Sequence, residues 1–323
     1  MAKRNYSIDI LKFVCAVLVV VLHTNFRWHN IILPLTRCAV PCFLMISGFL
    51  LYSEKGIGKG RLLRNIKHIA HILLWSTILF AVVKESQYAF YDNIFTPSIR
   101  QWVYFIIFNE NPFGGHLWYL SAYLYVLVFM MAIDKYKLYR ALFYFAPILI
   151  LSDLVLGKYS LLLLNHEYPY VFVRNFLFVG IPYFTIGCII KKYMASLKRM
   201  NCHIYLGGVI LFSVTSLIEK TILLNLEKSP AREHYLSTTF LAFCLFMFVV
   251  SSKGIKPNLL SKIGERDSLY IYVFHPLLLM SLSPIIKTMP YIIGQCYNVT
   301  APLVVLFVTI VFIVTLRKIK IIK

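Results

Sequence analysis

The sequence predicts an all-α, polytopic membrane protein of about ten transmembrane helices with both termini in the cytoplasm. Three observations carry that expectation: the composition, the recurrence of apolar runs of spanning length, and the placement of the basic residues. Of 323 residues, 59% are hydrophobic and 14% charged, whereas soluble domains run at roughly 45–50% and about 25%. The mean hydropathy is +0.74. A water-facing surface would have to display this excess as large apolar patches; lipid covers it.

A spanning helix needs about 20 mostly apolar residues. Ten runs qualify: 8–26, 32–53, 68–84, 116–133, 140–157, 172–190, 204–219, 235–251, 268–284 and 299–316. Lys3 and Arg4 ahead of the first run imitate the start of a signal peptide. No small-x-small cleavage site closes the run and many similar runs follow, so it reads as the first transmembrane helix. The connection 85–115 stands outside the count, although WVYFIIF within it suits the interface or a dip into the bilayer. The whole chain, 1–323, reads as a single membrane domain with no additional soluble domain.

Charge placement tests the count. With the N-terminus inside and the loops alternating, the inside segments hold 22 of the 33 basic residues, grouped at Lys3–Arg4, Lys55–Lys67, Lys135–Arg140, Lys191–Arg199, Lys253–Arg266 and Arg317–Lys323. The outside segments hold nine, among them Arg100, Lys220 and Arg232, and Lys12 and Arg37 fall inside predicted helices. This is the positive-inside pattern, and an error of one helix would reverse every later loop. The formal charge of +20 is therefore explained by orientation and does not point to nucleic acid. The seven cysteines contain no Cys-x-x-Cys, and Cys15, Cys42, Cys188 and Cys244 lie in apolar runs as small hydrophobes. Neither a disulfide scaffold nor a metal site is indicated. No P-loop, Rossmann glycine run, HExxH or Gly-x-Ser-x-Gly elbow occurs.

Ionisable groups at membrane depth are costly and face a protein interior or a cavity. Lys12 lies a turn into the first helix, and His23 follows eleven residues later, about 16 Å along the axis and almost three turns on, so that both share a face. The alternatives are that Lys12 snorkels inward and that His23 only marks the exit from the membrane. In the second helix Arg37 stands between Pro34 and Pro41. The prolines can kink that helix, making Arg37 a candidate for an anionic or carbonyl group, with a salt bridge in the bundle as the alternative. Ser47-Gly48 reads first as close helix packing. GGHLWYL at 114–120 opens the fourth helix, with His116 at the boundary and Trp118 and Tyr119 suited to the interfacial belt. His275 falls mid-helix within Tyr-x-Tyr-x-x-His-Pro, for chemistry or for a hydrogen bond to a neighbouring helix. Asp9, Glu54, Glu110 and Glu167 are possible partners for a histidine, whereas Glu265 and Asp267 read as charged loop residues.

The stretches SIDILKFVCAVLVVVLHT (7–24), RCAVPCFLMISGFLLY (37–52), HLWYLSAYLYVLV (116–128) and IGERDSLYIYVFHPLLL (263–279), in this order, resemble the acyltransferase 3 family of membrane proteins, over nearly the whole chain. The resemblance implies a membrane O-acyltransferase, most often moving acetyl from acetyl-CoA to a hydroxyl of a cell-envelope saccharide in a bacterial cytoplasmic membrane. It implies a basic residue and a histidine eleven apart in the first helix, here Lys12 and His23. Arginine is common at the first place, so Lys12 departs from the family and lacks its bidentate fork. The family histidine implies an essential role for His23. Arg37, Ser47 and Gly48 match the second-helix motif, His116 the histidine before Leu-Trp-Tyr-Leu, and His275 the terminal motif. His23, Lys12 and Arg37 are thus the catalytic candidates. Ser47, His116, Trp118, Tyr119 and His275 are the candidates for binding substrate or acyl donor.

Those residue types suit the chemistry. A histidine can take the proton of an attacking hydroxyl, and Lys12 or Arg37 can meet the developing oxyanion or the phosphates of coenzyme A. The expected partners are membrane lipid, an acyl-CoA and a glycan or lipid-linked saccharide, with no permanently bound cofactor. The three longer outer connections, 85–115, 158–171 and 220–234, are the expected acceptor contacts. Apolar surface here means lipid and says nothing of a partner subunit. The competing expectation is a transporter or flippase for a lipid-linked sugar or small anion, since broken helices and buried charges also build solute sites.

Overall fold

A computed structural model describes residues 4–90, 92–228 and 234–322. Lys3, Arg232 and Lys323, and the stretch 229–233 of the connection expected at 220–234, lie outside the described residues. The helices in chain order are α1 Tyr6–His23, α2 His29–Thr36, α3 Ala39–Leu51, α4 Lys59–Ala89, α5 Ile99–Phe108, α6 Trp118–Tyr136, α7 Tyr139–Leu156 and α8 Ser160–Leu163. They continue with α9 Ile181–Lys192, α10 Met194–Leu197, α11 Cys202–Asn225, α12 Leu236–Ser251, α13 Leu259–Arg266, α14 Ser268–Lys287 and α15 Tyr291–Lys318. No strand occurs among the described residues.

Eight segments among the described residues are long and apolar enough to cross a membrane: α1, His29–Leu51 (α2 with α3), α4, Gly115–Tyr136, α7, α11, α14 and α15. The two remaining runs take a different form. The run 172–190 is broken into a 3-10 turn at Tyr170–Phe172, a π-turn at Phe176–Gly180 and the 12-residue α9. Local chemistry explains the break. The Asn175 side chain accepts from the amides of Leu177 and Phe178 and so starts the π-turn in mid-run, and Pro182 lies in the first turn of α9 that follows it. The run 235–251 becomes α12, a 16-residue apolar helix. In the connection 85–115, WVYFIIF lies within α5, started by a capping box between Ser98 and Gln101 and closed by Asn109 in the left-handed conformation.

The described chain divides into two compact units. The first comprises 1–43, 198–222 and 235–323, and the second 44–197 and 223–234. In the first, α1 packs on α13, α14 and α15 around Ala16, Val20, Ile271, Val305 and Ile313. At Gly264, in α13, a Cβ would collide with the carbonyl oxygen of Asp9, so the glycine sets how closely α13 approaches α1. In the second unit, Gly48 lies against the carbonyl of Phe184, and Gly187 against that of Met45. The small residues let the two backbones touch, as the Ser47-Gly48 pair suggested.

Two of the prolines within helices are tied to partners elsewhere in the first unit. Proline has no N–H and leaves the carbonyl four residues back without its helical donor. Pro302 so exposes the carbonyl of Asn298, and the Arg27 backbone amide donates to it at 2.9 Å. Pro34 exposes the carbonyl of Asn30, and the Lys220 ammonium donates there. A donor from elsewhere in the chain thus replaces the helical one that each proline removes.

Candidate active site

α1 begins at Asn5, whose side chain accepts from the Ser7 amide, and carries Asp9 in its first turn. It ends at His23, three residues short of the expected 26. Thr24 turns into extended backbone while its amide and hydroxyl both bond to the Val20 carbonyl. His23 is therefore the last helical residue, exposed, at the negative end of the helix dipole.

His275 is completely buried in α14. Its Nε2 lies 3.3 Å from Nδ1 of His23, and the ring centroids are 5.0 Å apart. Backbone carbonyls fix the proton positions. His275 Nδ1 lies 3.0 Å from the Ile271 carbonyl oxygen, and His23 Nδ1 lies 2.9 Å from that of Val19. A carbonyl only accepts, so each Nδ1 carries the hydrogen. His275 Nε2 then holds a lone pair and accepts from His23 Nδ1–H, which it shares with Val19. The assignment is consistent throughout, and it makes Nε2 the basic nitrogen of His23.

Lys12 is not part of this pair. Its Nζ bonds Asp9 at 3.1 Å, one turn toward the N-terminus, and Asp9 also accepts from Arg4 Nε at 2.8 Å. The Arg4 guanidinium also meets Glu265, and the bond to Asp9 raises its pKa. Arg37 closes α2, half-buried, at the break before α3, within electrostatic reach of Tyr235. In place of one kinked helix over 32–53, the chain folds two helices that meet at Arg37-Cys38.

The other candidates belong to the second unit. Ser47 lies within hydrogen-bonding reach of Tyr123, and Tyr119 stacks on Tyr123 with centroids 6.0 Å apart. The His116 ring meets Phe80 edge-on at 4.5 Å. Trp118 is buried and carries the Arg174 guanidinium over its ring at 5.1 Å. The turn leading to them is fixed by Asn111, whose side-chain oxygen accepts from the amides of Phe113 and Gly114.

Two readings of acidic residues need correction. Asp267 is buried and paired with Arg317, and Glu265 is paired with Arg4, so both hold helices together where simple loop charges were expected. The carboxylate that meets a histidine is Asp153, absent from the candidates: its Oδ2 lies 2.9 Å from Nδ1 of His234, with both side chains buried. Lys158 and Arg174 line the same small cavity. The available signal was an acid inside the apolar run ILILSDLVL. Asp134 similarly anchors the connection between α3 and α4, accepting from the amides of Ile57 and Gly58 and from the Tyr139 hydroxyl.

Comparison with known proteins adds the following. The chain is 23% identical over 295 residues to a serine/alanine racemase of Enterococcus gallinarum, covering 84% of this chain and 40% of that protein. It is 22% identical over 343 aligned residues to an amino-acid racemase of Enterococcus faecalis, covering 98% and 47%. The chain thus spans less than half the length of the curated relatives it matches. No solved structure matches it. The model of the acyltransferase 3 family, described as an acyltransferase domain, matches residues 5–317. A match over nearly the whole chain, on a helical membrane protein with a paired histidine at the end of its first helix, makes this chain a member of the acyltransferase 3 family.

Proposed function

We propose that the chain transfers a short acyl group, acetyl from acetyl-CoA, to a hydroxyl of an extracytoplasmic or lipid-linked saccharide, with His23 as general base. The observation that carries the proposal is the ordered pair in which His275 Nε2 receives His23 Nδ1–H at 3.3 Å. Such a pair fixes the tautomer of the base without a carboxylate. In the reaction, His23 Nε2 takes the acceptor's hydroxyl proton as that oxygen attacks the thioester carbonyl. The tetrahedral oxyanion collapses, the C–S bond breaks, and the coenzyme A thiolate leaves with the proton returned by the imidazolium. The C-terminal end of α1 favours that transient cation, and His275 holds the ring in register.

Arg37 is the cation we assign to the oxyanion or to the donor. Lys12 lies about 16 Å along α1 from His23, too far for the oxyanion, which leaves it the phosphates of the donor at the cytoplasmic end. Ser47, His116, Trp118, Tyr119 and His275 remain the candidates around donor and acceptor. No metal and no permanently bound cofactor enter this reaction. The setting is a bacterial cytoplasmic membrane crossed ten times, with both termini inside and residues 1–323 acting as one membrane domain. Acetyl-CoA then donates from the cytoplasmic side, its pantetheine arm reaching outward to His23.

The test is transfer in proteoliposomes from radiolabelled acetyl-CoA to a host glycan extract, with H23A beside the wild type. Label in glycan that requires His23 supports the proposal; equal transfer by H23A rejects His23 as base. The second reading is a transporter or flippase for a lipid-linked sugar or small solute, and the two curated relatives, named as racemases of amino acids, make small amino acids the solutes to try. Uptake of labelled serine or alanine by the same proteoliposomes, with no acyl transfer, would select it.

A further inference from the structure

A cavity of about 440 Å³ opens in the second unit beside the glycine turn that leads into the HLWYL segment. Its walls include Lys84, Arg100, Gln101, Tyr104, Glu110 and Tyr170, so they draw on two of the expected acceptor connections. The volume falls within the range of sites for small molecules, roughly 300–1,000 Å³. The wall is held together without a ligand. Arg100 Nε and Nη2 donate to the Tyr104 hydroxyl oxygen at 3.0 and 2.8 Å. Lys84 donates to the Pro112 carbonyl at 2.8 Å and sits 3.9 Å over the Phe95 ring. The Tyr170 hydroxyl donates to the Glu110 carboxylate at 2.5 Å, and Arg174 stacks between the rings of Tyr170 and Trp118.

The chemistry of this wall is selective. Tyr104 and Tyr170 offer phenol rings to the C–H face of a pyranose, while Gln101 and Glu110 are planar groups able to bond vicinal hydroxyls. Two cations stand against one carboxylate. A neutral sugar would leave that excess charge unanswered, whereas a phosphate or carboxylate meets the guanidinium through paired N–H donors. Two of the five donors of Arg100 engage Tyr104, which orients the fork.

We propose that this cavity binds a saccharide bearing an anionic group, phosphate or carboxylate, through Arg100 and Lys84, and that this saccharide is the acceptor. The proposal rests on the acyl-transfer reading for the word acceptor but not for binding. The experiment is calorimetry on the full chain in nanodiscs with glucose 1-phosphate, glucuronate and methyl glucoside, and separately with coenzyme A. At least one anionic sugar should bind tenfold or more tightly than methyl glucoside, and the preferred one names the group. R100Q should lose at least tenfold for that sugar and R100K less, with monodisperse elution and an unchanged melting temperature showing that the variants fold. Equal binding of methyl glucoside, or undiminished binding by R100Q, overturns the proposal. Coenzyme A binding without sugar binding overturns it alone; selective sugar binding without coenzyme A binding supports the site and rejects acetyl-CoA as donor.

Discussion

Nδ1 of exposed His23 donates toward Nε2 of completely buried His275 across 3.3 Å, joining the end of α1 to the middle of α14. The buried ring is oriented by the Ile271 carbonyl, and it orients the exposed ring in turn. This is the relation a carboxylate often has to a catalytic histidine, performed here by a second imidazole.

If His275 acts through His23, its variants should change turnover more than substrate binding. His275→Ala is expected to lower kcat by about 10²-fold or more with KM nearly unchanged, in line with the contribution of positioned acid–base groups. His275→Gln, which keeps an acceptor near the place of Nε2, should recover part of the loss. A fall in KM and kcat together, with no recovery by glutamine, would point to substrate contact instead.

The proline-released carbonyl of Asn30 depends on Lys220. Replacing Lys220 by methionine should destabilise the chain by roughly 0.5–1.5 kcal/mol, the net worth of one solvent-accessible hydrogen bond. Lys220→Arg should cost less. Thermal unfolding in detergent separates the two outcomes.

Gly264 tolerates no side chain, because a Cβ there meets the Asp9 carbonyl. Gly264→Val should cost about 1–3 kcal/mol or more by forcing α13 from α1. Gly254, which has open space around its α-carbon, is the control, and Gly254→Ala should leave the melting temperature unchanged.

Breaking the pair between buried Asp267 and half-buried Arg317 should be damaging at the base of α14. Asp267→Asn leaves the half-buried Arg317 guanidinium without its counter-charge, an effect of about 1–3 kcal/mol. Loss of monodisperse protein on gel filtration would register it; a wild-type melting curve would refute it.

The proposed topology of ten crossings makes opposite statements about two loops. In a background without cysteine, N93C should react with an impermeant maleimide from the outside of intact cells. K256C should react only after permeabilisation. Both residues are exposed, so accessibility is set by sidedness; reaction of both from one side would require another helix count.

The apolar runs and their charge bias made the helical membrane class legible from composition alone, because lipid demands a local property, about 20 apolar residues in sequence. The motif residues around His23, Arg37, His116 and His275 were likewise visible as polar groups in apolar surroundings. Other features required the folded chain. The i,i+3 spacing of Asp9 and Lys12 permits their pairing, but nothing in the spacing predicts that His275 meets His23 across 252 positions. The helix break at Asn175, the carbonyls of Asn30 and Asn298 taken up by Lys220 and Arg27, and the Asp153–His234 pair escaped in the same way. The physical reason is common to them. Hydropathy is additive along the chain, so the sequence alone determined the helical membrane class and the approximate place of most apolar helices. Hydrogen-bond partnership depends on which faces meet after packing, so only the tertiary structure decided which polar groups answer one another.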